Sequence, residues 1–325
     1  MNGKIDIYCE FAFLEKFYSS LPKSDDRSNL KFLRYWQDFN ELLCKHSSIV
    51  LMDINYESFV EQSKNAENSI LREALDLILT ASYNGYIDIA CCPTEKKNME
   101  AHIEDNEGDR YFGKEPQRIY LLDVASEKCQ QLENDYGLMF ISNDNFTRWA
   151  NFLFTSDIAL VNEKTKNWDF VKQYEHPCNS IILVNNYILD SDNSVLEKDI
   201  NSLFDALLPM QLNLNTFNIQ VHTTFTKKGN DNTKKELVES TIKKLRKYPI
   251  NVKIFLAHKT TNNQHDRFLL TNYCMFNSGY GFVLGKEREK GTSLMVWPLT
   301  YISKYGNRES RNNVYQIMQY LREKN

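Results

Sequence analysis

The stretch "QHDRFLLTNYCMFNSGYGF" (264–282) sets His265 two positions before Arg267 and closes on Ser278, Gly279 and Gly281. An imidazole can act as nucleophile or proton carrier near neutral pH. A guanidinium fork matches two oxygens of a phosphate. Glycines let backbone N–H groups come close to an anion. Three readings are open on these residues alone: the reactive edge of an enzyme, the charged rim of a binding pocket, or a local ion-pair cluster at the start of a strand.

The elements that must position these residues begin near Cys178. "NSIILVNNYIL" (179–189) is a continuous apolar run with a polar end, as a strand buried on both faces reads. In 197–209, Ile200, Leu203, Phe204, Leu207 and Leu208 share a helical face that stops at Pro209. A strand over 217–225 follows. Next comes a helix over 233–248 with Leu237, Thr241, Ile242, Leu245 and Tyr248 at helical spacing, and then a strand over 250–258. This β-α-β-α-β order predicts a mostly parallel sheet with helices on its faces. Strands over 267–276 and 292–299 and a helix at about 311–323 complete the set.

Ligands of open α/β sheets bind outside the carboxyl ends of the parallel strands. Asn185, Asn186, His222, Thr223, Thr224, His258 and Lys259 all fall at such ends, on the edge where His265 and Arg267 follow. The candidate phosphate-binding residues are therefore Ser278, Gly279, Gly281, His222 and Lys259.

Charge separates the chain into two parts. Residues 226–325 hold 19 Lys+Arg against 8 Asp+Glu, a net of +11, which leaves −15 for residues 1–225 out of the total of −4. Clustered cations suit a polyanion, because binding releases its counterions. The competing reading is that the positive part docks on a negative surface of the same chain or of a partner protein. Seven cysteines, an odd number without a C-x-x-C pair, argue against a disulfide framework and a structural zinc site, and so for a reducing cytoplasm. No run approaches the ~20 apolar residues of a membrane span, so no integral membrane segment is expected.

At His265 and Arg267 the sequence resembles the phospholipase-D-like superfamily. The family signature is H-x-K-x4-D and then, after six residues, Gly-Ser; the same spacing here gives His265, Arg267, Asn272 and Gly279. Lys is replaced by Arg, Asp by Asn, and the Ser after the glycine by Tyr280. The H-D-R form is similar to the phospholipase-D-like C-terminal domain of proteins that carry a microtubule-interacting-and-trafficking domain, and the resemblance covers roughly residues 178–300. It implies a catalytic set of His265, Arg267 and Asn272: the histidine attacks phosphorus, the cation neutralises phosphoryl oxygens, and no cofactor is needed. It also implies a second histidine as general acid. With one motif in the chain, that requires a homodimer; otherwise the site binds phosphate without cleaving it.

The amino-terminal half reads as a second α/β layer, with strands over 4–10, 48–54, 85–93, 118–124 and 136–146 and helices over 27–46 and 68–83. Glu10, Asp53, Asp88, Asp123 and Asp144 stand at strand ends. Acids so placed, with the late phrase "SNDNF", resemble the plan of PIN-type ribonucleases, which implies a divalent metal held by Glu10, Asp53 and Asp144. The alternative is that these acids cap helices and turns. Residues 99–118 read as a polar surface loop.

The expectation is thus an α/β protein of two α/β domains: residues 1–175, acidic and PIN-like, and residues 176–325, basic and phospholipase-D-like with a mixed sheet. Nucleic acid is the favoured partner, with a partner protein or anionic lipid as the alternative. Asn-, Lys- and Tyr-rich usage suits an AT-rich bacterial genome and, by association, a defence or mobile-element module.

Overall fold

The computed structural model describes residues 4–20, 30–91, 118–162, 164–226, 229–257, 267–279, 281, 282, 284 and 291–300. Their architecture is α/β, with one five-stranded and one seven-stranded sheet. Among the described residues, one compact unit holds everything up to Leu132, Met139–Phe154 and Thr300; the other holds Glu133–Leu138 and Thr155–Leu299. The break expected at 175/176 therefore falls at Phe154/Thr155. The reason is the strand Asp157–Val161, which pairs with Thr292–Pro298 of the second unit.

The first unit runs β1 (Ile5–Cys9), α1 (Phe11–Ser19), α2 (Leu30–Lys45), β2 (Ser47–Leu51), α3 (Tyr56–Asn65), α4 (Ser69–Tyr83), β3 (Asp88–Cys91), β4 (Arg118–Leu121), α5 (Ser126–Tyr136, of which the residues from Glu133 on belong to the second unit), β5 (Met139–Ile141) and α6 (Phe146–Phe154). The sheet order is β3-β2-β1-β4-β5 and every pairing is parallel. β1, β2, β4 and β5 are buried along their whole length, so apolar residues dominate them, with Asp6, Ser47, Ser48 and Arg118 as the buried polar exceptions. Tyr8, Tyr120 and Phe140 stand opposite one another on adjacent strands and stack at 5.0 and 4.8 Å. Phe17 packs on Phe39 and Phe146 at 5.2 and 4.8 Å, joining α1, α2 and α6. Asn55 and Asn68 cap α3 and α4 through their side-chain oxygens. Strand order reverses between β1 and β4, the kind of place at which ligands of open α/β sheets bind.

The second unit contains β6 (Asp157–Val161), a 3₁₀ turn (Asp169–Tyr174), β7 (Ser180–Val184), α7 (Asn193–Leu207), β8 (Phe217–Thr224), α8 (Asp231–Lys243), β9 (Ile250–Ala257), β10 (Phe268–Leu270), β11 (Cys274–Ser278) and β12 (Thr292–Pro298). The order is β6-β12-β11-β10-β7-β8-β9. β7, β8 and β9 are parallel, as the sequence predicts, and the remaining pairings are antiparallel. Arg246 holds the end of α7: its guanidinium donates to the carbonyls of Asp205, Leu208 and Pro209 and to the Asp205 carboxylate at 2.7 Å. That pairing keeps the Asp205 carboxyl below its ordinary range. Part of the basic excess is thus structural.

The strand expected over 267–276 is a hairpin, β10 and β11, turning at Thr271–Tyr273. Thr271 makes the turn without a glycine. Its N–H donates to the Cys274 carbonyl at 2.9 Å, and its hydroxyl oxygen accepts the amides of Cys274 and Tyr273 at 3.0 and 3.3 Å. His176, buried, stands against the same hydroxyl at 2.6 Å through Nε2, while Nδ1 lies 2.7 Å from the Tyr174 carbonyl. A carbonyl only accepts, so Nδ1 carries the proton of the neutral ring. Burial pushes the ring pKa down to about 4. Residues 99–117 and the helix expected at 311–323 lie outside the described residues.

Candidate functional site

Arg267 sits at the start of β10, its carbonyl accepting the Ser278 N–H at 2.9 Å. β10 runs antiparallel to β7 with Phe268 opposite Val184, so Arg267 stands at the carboxyl end of β7, on the edge where the sequence places it. Its guanidinium lies 5.2 Å from the ring centroid of Tyr187, in the loop leaving β7, and donates to the Gly279 carbonyl at 3.2 Å. Among the described residues that carbonyl is the one acceptor it meets. The planar fork is thereby fixed in orientation with donors to spare.

Gly281, at φ +85°, closes the rim. A Cβ there would come within 3.0 Å of both the Arg267 side chain and the Asn185 side chain, so glycine is required both by the backbone and by space. Asn185 is buried, and its Oδ1 accepts the Tyr187 N–H at 3.3 Å. Level with it on β8, the Thr223 hydroxyl is buried and has no hydrogen-bond partner among the described residues. A buried hydroxyl left without a partner is costly. Strand alternation puts Asn185, Thr223 and Arg267 on one face of the sheet.

Several residues predicted for this site do other work. Paired residues share a face, so His222, opposite Val184 and Phe255, projects from the other face. Its ring stacks on Phe255 at 4.7 Å and its Nε2 is 3.2 Å from the Gln220 side-chain oxygen, so it does not join Arg267. Asn272 lies past the far end of β10, about 15 Å from Arg267 at the rise of a strand. Fully buried, it accepts the amides of Asn179 and Ser180 at 3.0 and 3.1 Å and donates to the Asn179 side-chain oxygen at 2.9 Å. It ties down the amino end of β7 and has no place in a reaction at the carboxyl end. The Ser278 hydroxyl donates to the Gly281 carbonyl at 2.7 Å, and the Gly281 N–H donates to the Ser278 carbonyl at 3.3 Å. The turn is therefore closed on itself, and of its described amides only that of Gly279 is left for an anion. His258, Lys259, His265, Asp266 and Tyr280 lie outside the described residues.

The first unit offers the other candidate, where Glu10, Asp53 and Asp123 follow β1, β2 and β4. Burial pushes the Glu10 carboxyl up, a bond from the Asp123 amide lowers it, and the carboxylates of Asp53 and Asp123 raise it further. Each acid is nevertheless engaged. Asp53 accepts the Phe11 N–H at 2.6 Å at the start of α1, Glu10 accepts the Asp123 N–H at 2.7 Å, and Asp123 meets Lys16 at 3.1 Å. Asp144 is exposed in the turn after β5. Among the described residues no three Asp, Glu, His or Cys side chains converge to hold a metal ion. The PIN-like ligand set of Glu10, Asp53 and Asp144 does not fit the arrangement: Asp53 caps the start of α1, and Glu10 holds the loop amide of Asp123.

The signals missed in the sequence are Tyr187, an aromatic just past a strand end, and Lys234, which falls four positions before Val238 on the buried face of α8. No helix among the described residues is long and apolar enough to cross a membrane. Neither a scan against protein-family models nor a search of curated proteins returns a match for this chain.

Proposed function

We propose that the chain recognises the phosphodiesters of nucleic acid at the Arg267 rim, in the manner of the phospholipase-D-like proteins it resembles. The observation that carries this reading is the guanidinium fixed between the Tyr187 ring and the Gly279 carbonyl at the carboxyl edge of three parallel strands. A phosphodiester presents two oxygens at the spacing of that fork. The Thr223 hydroxyl, buried on the same face without a partner among the described residues, is a further polar group of this rim. Two amino acids before Arg267, His265 supplies the nucleophile that the resemblance implies. Cleavage then needs a second imidazole as general acid, which a second copy of the chain provides.

Binding of a short fluorescein-labelled single-stranded oligonucleotide, followed by anisotropy across a salt series, tests this reading. Arg267→Ala should weaken binding by roughly ten- to a hundredfold, the range of a charge-assisted bidentate contact. The logarithm of affinity should fall linearly with the logarithm of salt. Affinity untouched by Arg267→Ala or by salt overturns phosphate recognition. Loss of cleavage in His265→Ala with binding retained identifies an enzyme; a wild type that binds and never cleaves identifies a binding module.

A further inference from the structure

The loop that carries Tyr187 beneath the Arg267 guanidinium runs on, through Asp190, Ser191 and Asp192, into a cleft of about 370 Å³ between the starts of α7 and α8. Lys234, in the first turn of α8, lines it and is only 5% exposed. Its ammonium donates to the Ser191 carbonyl. Among the described residues no carboxylate stands within ion-pair distance of it, although an ammonium carries three donors. A buried ammonium without a counter-ion is costly.

Two helix starts open on the same cleft. Asn193 begins α7 and Asn230 precedes α8, and both residues line it. Neither helix has a side-chain cap: Asp192 and Asn230, the residues before them, make no capping hydrogen bond. First-turn N–H groups without a side-chain acceptor, at the positive ends of two helix dipoles, together with a buried ammonium, make an anion site. The exposed carboxylates of Asp190 and Asp192 at the mouth limit the charge it tolerates. A terminal phosphomonoester, close to doubly charged near neutral pH, meets about twice the repulsion from these carboxylates that a singly charged diester meets.

We infer that this cleft is a second phosphate site, which holds one phosphodiester of a nucleic-acid strand on Lys234 and the starts of α7 and α8. The inference rests on the reading of the Arg267 rim as a phosphodiester site, and it extends the path of the strand along the β7–α7 loop.

The experiment compares Lys234→Met, Asp192→Asn and Arg267→Ala in the same oligonucleotide titration across salt, with folding checked by circular dichroism. Lys234→Met should weaken binding about five- to twentyfold and reduce the salt slope by about 0.7, the loss of one phosphate contact to a single strand. Asp192→Asn, at an exposed carboxylate, should tighten binding about threefold. If Lys234→Met fails to fold, Asp192→Asn decides. Wild-type affinity and slope in the folded variants, with Arg267→Ala still weakened, overturns the second site and leaves the rim standing. No salt-dependent binding by the wild type removes both.

Discussion

The two units carry charged residues at the same topological place, the carboxyl ends of parallel strands, yet those residues are left in different states. In the first unit Asp53 and Glu10 accept backbone amides at 2.6 and 2.7 Å, and Asp123 pairs with Lys16. In the second, Arg267 meets a single carbonyl among the described residues, while a neighbouring threonine hydroxyl has no partner. Position at a strand end therefore does not identify a site. What distinguishes the rims is whether the hydrogen-bonding capacity of their polar groups is already used within the fold. Engaged groups should govern stability, and groups with capacity to spare should govern binding.

Asn272 provides the largest test near neutral pH. Asn272→Ala leaves the half-buried amides of Asn179 and Ser180 without their acceptor, and should cost on the order of 2 kcal/mol in a denaturant titration, since each lost hydrogen bond is worth about 1 kcal/mol. Oligonucleotide affinity of the folded fraction should not change. A variant that loses binding at full stability would return Asn272 to the site and break the distinction.

His176 supplies a comparable effect through pH. Its folded pKa of about 4 lies below the ordinary value of 6.5, so below pH 6.5 the unfolded chain takes up a proton that the folded chain refuses. The stability this group contributes is fully present above pH 6.5 and is lost as pH falls toward 4, by about 3 kcal/mol at most. His176→Gln should flatten that part of the stability curve, as measured by thermal melts across pH. A curve of unchanged slope would mean that the ring is not the group responsible.

Smaller effects are expected in the first unit. Asp53→Ala removes the acceptor at the start of α1 and should cost about 1 kcal/mol, the usual worth of an N-cap. Glu10→Gln keeps an oxygen for the Asp123 amide while removing a carboxylate that its surroundings disfavour, and should raise stability by a few tenths of a kcal/mol. Neither should alter nucleic-acid binding or cleavage. Loss of cleavage in either variant, or its arrest by EDTA, would place the chemistry on the acidic rim instead.

Much of the fold is legible in the sequence because the parallel strands are buried on both faces. In "IDIYC", "SSIVL" and "SIILV" apolar residues supply most of both faces, despite the buried Asp6, Ser47 and Ser48. Legibility fails where burial is one-sided or a turn lacks glycine and proline. β6, "DIALV", lies at the sheet edge with Ile158 and Leu160 66% and 70% exposed, so its apolar residues do not announce a core strand and the domain break shifts by some twenty residues. The Thr271–Tyr273 turn is made by a threonine hydroxyl, which hides the hairpin inside an apolar run. The same hidden turn carries Asn272 away from Arg267. Linear spacing places Arg267 correctly because it precedes the turn, and misplaces His222 because strand alternation alone does not say which face a pocket occupies. Tyr187 and Lys234 escape notice because their roles depend on contacts between loops, which no local pattern encodes.

The most direct test is to watch the Arg267 side chain itself. With arginine Nε–Hε groups labelled for NMR, and the Arg267 signal identified by its absence from Arg267→Lys, a single-stranded oligonucleotide is titrated in. The Arg267 signal should move in proportion to occupancy and return as salt is raised. Saturating binding that leaves that signal in place would contradict phosphate recognition at the rim.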